Sequence, residues 1–100
     1  MASVALNQLL FEANTKMYFL IGEYQSRRIA PNNLEKQIES ALQAFEGSLK
    51  AFGDLGVDTQ LLSVAREDNL KYLLSELDKY KQDVVLSSLF RKYSPKDNQP

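Results

Sequence analysis

At 100 residues, with 44 % hydrophobic and 25 % charged side chains, the chain has the size and composition of one soluble domain. Its 12 Lys and Arg against 13 Asp and Glu leave a formal charge of -1, which offers no field for holding nucleic acid or an anionic membrane. With no Cys there can be no disulfide or thiolate metal site, and with no His the commonest general base and metal ligand are missing.

The opening stretch MASVALNQLLFEANTK has no basic leader and carries Asn7, Glu12 and Asn14 among its apolar residues, so it does not read as a secretory signal. The longest apolar run falls far short of the ~20 residues that a membrane span needs. Together with the missing cysteines, this predicts a cytoplasmic protein.

The first predicted helix runs from about Ser3, a candidate N-cap, to Ile29, and ends before Pro31 because the residue preceding a proline is pushed out of helical geometry. Leu6, Leu10, Ala13, Met17, Leu20 and Tyr24 alternate steps of four and three, the seam of a helix that packs on other helices. A second stripe holds Val4, Phe11, Tyr18 and Ile29, with Gly22 in line, and widens the apolar arc to roughly 220°. Phe19 lies outside both stripes, beside Gln8 and Ser26. Two neighbouring helices can cover part of that arc. The remainder asks for another molecule.

The second predicted helix begins in PNNLEKQIE, where Asn32 and Glu35 have capping-box spacing and Asn33 is an equally good cap. Leu34, Ile38, Ala41, Leu42, Phe45, Leu49 and Phe52 form one narrow stripe, while Glu35, Lys36, Glu39, Glu46 and Lys50 face solvent. Gly53 reads as the C-terminal stop. In the GDLGVD loop, Leu55 and Val57 are expected to tuck under the end of the bundle.

The third segment is capped by Asp58 or Thr59 and reads helical to about Tyr93, ended by Ser94-Pro95. Leu70, Leu73, Leu74, Leu77, Tyr80 and Val84 share one face, whereas Leu86, Leu89, Phe90 and Tyr93 share a face about half a turn away. Either the segment breaks, near Ala65 to Asn69 or near Ser87, or its two ends meet different neighbours. Unbroken, its 35 residues would span about 52 Å, which overhangs a helix of the second segment's length. The expectation is therefore all-α: an antiparallel three-helix bundle over residues 1–93 with a long C-terminal helix, or four helices if the third segment breaks, and a polar, disordered tail at 94–100.

Catalytic motifs are absent. There is no Walker loop and no GxGxxG, and the close acidic pairs Glu67-Asp68 and Glu76-Asp78, with the spaced pair Glu35-Glu39, give no metal-ligand pattern. No cofactor, metal or catalytic residue is expected. Arg27, Arg28, Arg91 and Lys92 end the first and third helices, where the helix dipole favours cations. If those helices run the same way, the four could form a small basic cap for a phosphate or an acidic partner. The tyrosines sit at helical spacing on or beside apolar faces, and Tyr72 is the one placed best for an exposed contact.

These readings point to a non-catalytic protein-interaction or regulatory module, adaptor- or chaperone-like, that forms homodimers and binds another protein through an apolar helix face. Its expected anchors are Phe11, Tyr18, Phe19, Gly22, Leu86, Leu89, Phe90 and Tyr93, with Arg27 and Arg91 at the rim. The alternative is a nucleic-acid-associated helical regulator that uses the basic cap.

Overall fold

A computed structural model describes residues 2–95, with side-chain surroundings from Val4 onward. The expected cap by Ser3 falls where side chains are not described, and residues 96–100 of the expected tail lie outside the described residues. Four helices follow one another: α1 (Ala2–Gln25), α2 (Pro31–Asp54), α3 (Thr59–Asp78) and α4 (Val84–Tyr93). Among the described residues there is no strand. The protein is all-α, and among the described residues no helix is long and apolar enough to cross a membrane.

Helix α1 ends four residues before the expected Ile29, in a turn that closes its last carbonyls. The Arg27 N–H donates to the Tyr24 carbonyl at 3.0 Å, and the Arg28 N–H donates to that of Glu23 at 2.8 Å. This crossed pair is a Schellman stop, which requires a left-handed residue at the position of Arg27. Arg27 takes it, at φ 63°.

Pro31 is the first residue of α2, where its missing N–H leaves nothing unsatisfied. The expected capping box does not form. Ala30 occupies the cap position with no side-chain hydrogen bond, so Asn32 and Asn33 already lie in the first turn. At the other end α2 runs through Gly53 to Asp54, and the stop is three residues later than expected. Gly56 holds the left-handed position at φ 94°, its N–H donates to the Gly53 carbonyl at 3.0 Å, and the Val57 N–H donates to that of Phe52 at 3.0 Å. The turn needs its left-handed residue at Gly56, and Gly53 is an ordinary helical glycine. Val57 packs on the core as expected, but Leu55 is 83 % exposed.

The third segment breaks, at a place that neither expected breakpoint marked. Helix α3 is capped by Asp58, whose carboxylate accepts from the Gln60 N–H at 2.8 Å, and it stops at Asp78. Asp83 then opens α4 by accepting from the N–H groups of Val85 at 2.9 Å and Leu86 at 3.1 Å. The expected long C-terminal helix is thus one of 20 residues and one of 10 residues. The physical reason is the half-turn offset between the apolar faces on either side of Val84. A straight helix would leave Leu86 and Leu89 in water, whereas the break buries both, worth about 1.5–3 kcal/mol for each side chain.

Two buried clusters make the core. One combines Met17, Leu20 and Ile21 of α1 with Leu34 and Ile38 of α2, Leu73 and Leu77 of α3, and Leu86 and Leu89 of α4. The other combines Leu6 with Phe45 and Leu49 from the far part of α2 and Leu62 and Ala65 from the start of α3. Helix α1 packs on both α2 and α3, and α4 packs chiefly on α3. The buried face of α3 also carries Asn69 and Glu76. The Glu76 carboxylate is met by Lys79 Nζ at 2.7 Å.

Candidate functional site

The expected anchors separate into two groups. On α1, Phe11 is 66 % exposed, Tyr18 61 % and Phe19 53 %, and Val4 is 67 % exposed on the same side. Gly22 is also exposed, and a methyl group built on its Cα would meet nothing within 4 Å. Directions advance about 100° per residue around a helix. Val4, Gln8, Phe11, Thr15, Tyr18 and Gly22 therefore line one side of α1, opposite the buried Leu6–Met17–Leu20 seam, and all six are exposed. Phe19 flanks that line, with Lys16 Nζ 6.0 Å from its ring centre.

The other four anchors are corrections. Leu86 and Leu89 are core residues, 0 % and 4 % exposed. Phe90 and Tyr93 are half-buried against the same cluster. The break at Asp83 turns this face inward, so it does not extend the surface of α1. Tyr72, expected as an exposed contact, is half-buried against the core as well. Burial, followed by the neighbouring Glu76 carboxylate, pushes its phenol above the usual tyrosine value.

The four basic residues do not share one cleft. Arg27 and Arg28 line a cleft of ≈ 580 Å³ with Tyr24, Pro31 and the carboxylate of Asp83, while Arg91 lines a different one with Asp78 and Lys81. Arg28 is paired with Glu23 at 2.9 Å. Lys92 lies between Glu35 and Glu39 and ties α4 to α2, an arrangement that holds its ammonium well above the usual lysine value through the Glu35 and then the Glu39 hydrogen bonds. Lys92 in turn holds the Glu39 carboxyl below its usual range. Two of the four cations are thus already neutralised within the chain.

One interaction had no signal that pattern reading picked up. The Tyr24 hydroxyl on α1 donates to both carboxylate oxygens of Asp83, at 3.0 and 3.1 Å, across 59 residues of sequence. Burial first, and then this hydrogen bond to a carboxylate, raise the Tyr24 phenol above its usual value. Its only local trace is an Asp directly before the apolar run VVLSSLF, the signature of a helix start. Among the described residues, no three Asp or Glu side chains come together in a way that could hold a metal ion.

Compared with protein families, curated proteins and solved structures, the chain finds no match in any of the three. The outward side of α1 is the candidate site on physical grounds alone: four large apolar side chains, Val4, Phe11, Tyr18 and Phe19, each more than half exposed on one helix.

Proposed function

We propose that the protein is a small non-catalytic interaction module that docks through the outward side of α1, self-associates there, and works in the cytoplasm as an adaptor or regulator. The observation that supports this is the exposure of Val4, Phe11, Tyr18 and Phe19 together. Isolated apolar residues on a surface need no explanation, but several large ones on one side of a helix, aromatic members among them, are the usual form of an association surface. The two core clusters support an up-down-up arrangement of α1, α2 and α3, with α4 folded back as a short fourth helix. In that arrangement α2 and α3 cover the seam side of α1, and Tyr80 borders its outward side near Gly22.

The pairing of Arg28 and Lys92 with carboxylates weakens the nucleic-acid alternative, since phosphate would have to displace Glu23, Glu35 and Glu39. Sedimentation of the wild type and of a Phe11→Ser/Tyr18→Ser variant tests the reading. The wild type should associate with rising concentration, and the variant should remain a monomer with an unchanged circular-dichroism spectrum. Association that persists in the folded variant refutes the assignment of this face.

A further inference from the structure

We infer that the outward side of α1 pairs with α1 of a second copy in an antiparallel, two-fold arrangement whose axis crosses the outward side at the height of Ala13. This rests on the reading of α1 as the docking surface where the chain self-associates, and adds the orientation and the register. The positions Val4, Gln8, Phe11, Thr15, Tyr18 and Gly22 step by four, three, four, three and four, the spacing of a seam between two helices. Helix α1 therefore carries two such seams, of which the fold uses one.

The outward seam complements itself when reversed. With the axis at the height of Ala13, Val4 faces the partner's Gly22, Gln8 faces the partner's Tyr18, and Phe11 faces the partner's Thr15. Each pair sets a bulkier side chain against a smaller one. Gly22 is the informative member, because a glycine inside a helix weakens it and a Cβ placed there would meet nothing of this chain within 4 Å. A shallow cleft of ≈ 340 Å³ lies there, lined by Tyr18, Phe19, Gly22 and Tyr80. Val4 of a second copy would enter it.

Charge selects this register over its rivals. Glu12 and Lys16 lie on one flank of the seam. About the Ala13 axis each Glu12 comes within about 3 Å, in height along the helix, of the partner's Lys16. The two Glu12 carboxylates are equally close in height, and the row reads Lys–Glu–Glu–Lys, so each Glu12 has the partner's Lys16 on one side and the partner's Glu12 on the other, with the pair flanked by cations. Sliding by one heptad keeps the seam and sets Phe11 against the partner's Gly22. That shift also brings the two Lys16 ammoniums to nearly one height and places Glu12 beside the partner's Glu23. A parallel pair is worse still, since it sets Phe11 on Phe11, leaves Gly22 facing Gly22, and puts every charge at the level of its own copy. A net charge of -1 adds no general repulsion between copies.

Because the chain has no cysteine, single cysteines report the register directly. Under mild oxidation, a Gln8→Cys chain mixed with a size-tagged Tyr18→Cys chain should form the mixed disulfide. Gln8→Cys should not link to itself, since its two copies stand about 15 Å apart in height while bridged Cα atoms lie within about 7 Å. Gly22→Ala should leave the chain folded, with a higher melting temperature as a monomer, and weaken the dimer about tenfold in dissociation constant. Self-linking of Gln8→Cys establishes a parallel pair, and linking of Thr15→Cys to Tyr18→Cys establishes the shifted register. Either result overturns this inference but leaves α1 as the docking face. A wild type that stays monomeric at millimolar concentration removes the second copy as occupant. A dimer that survives Phe11→Ser/Tyr18→Ser removes the docking face itself.

Discussion

Replacing Asp83 by Ala tests the account of how α4 is folded back. The carboxylate does two things: it closes the first turn of α4 through the Val85 and Leu86 N–H groups, and it receives the Tyr24 hydroxyl from α1. Loss of an N-cap of this kind costs about 1 kcal/mol. A hydrogen bond to a charged group adds about 1.5–3 kcal/mol, taken here at the lower end because Tyr24 is only half-buried. The sum is about 2.5 kcal/mol, or roughly 10–20 °C in melting temperature for a domain of this size. Urea titration followed by circular dichroism measures it, and the Tyr24→Phe and double variants complete a thermodynamic cycle. Tyr24→Phe should cost about 1.5 kcal/mol in the wild type and almost nothing in the Asp83→Ala background. Helical signal should not rise in Asp83→Ala, because a continuous α3–α4 rod would expose Leu86 and Leu89. A loss below about 0.5 kcal/mol, equal Tyr24→Phe penalties in both backgrounds, or a gain of helix would each refute the reasoning.

Two further outcomes are expected. Arg27→Gly should stabilise the protein by about 0.5–1 kcal/mol in the same titration, since a left-handed L-residue costs roughly 1–2 kcal/mol and glycine returns part of that as chain entropy; a destabilised variant would show that the Arg27 side chain contributes more than its backbone costs. Tyr24, Tyr72 and Tyr93 all have phenols raised chiefly by burial, so each keeps its proton in the folded chain at a pH where the unfolded chain has begun to release it. Their contribution to stability is complete below the unfolded value near pH ~10 and is lost as pH rises through the folded values. In a Tyr18→Phe/Tyr80→Phe variant, which keeps only these three of the five tyrosines, phenolate absorbance at 295 nm should therefore appear late and together with unfolding, and an early, structure-independent rise would count against their burial.

Much of this protein is legible one helix at a time. The four-three spacing of Leu6 to Tyr24 and the single stripe from Leu34 to Phe52 place their residues on the sides that the fold covers. Pro31 and Asp58 mark helix starts through chemistry that acts within a few residues. The exposed row on α1 was likewise readable, because it is simply the opposite side of the same helix. The sequence also showed that Leu86, Leu89, Phe90 and Tyr93 point away from the turns before them. It did not show how that conflict ends, and the fold ends it by breaking the helix, where the outward reading had made these residues an interface.

What the tertiary structure alone decides is where each uncovered face goes. Angular position around a helix is a local property, set by 3.6 residues per turn and carried by the sequence itself. The neighbour that covers a face depends on the path of the turn before it. Arg27 rather than a glycine takes the left-handed residue of the first turn, Gly56 rather than Gly53 takes that of the second, and Asp83 redirects the chain by holding Tyr24 from the far end of the sequence. Those choices bury Leu86 and leave Phe11 in water. Side-chain spacing cannot distinguish the two, since both are apolar residues on apolar helix faces, and only the path between the helices gives one a neighbour.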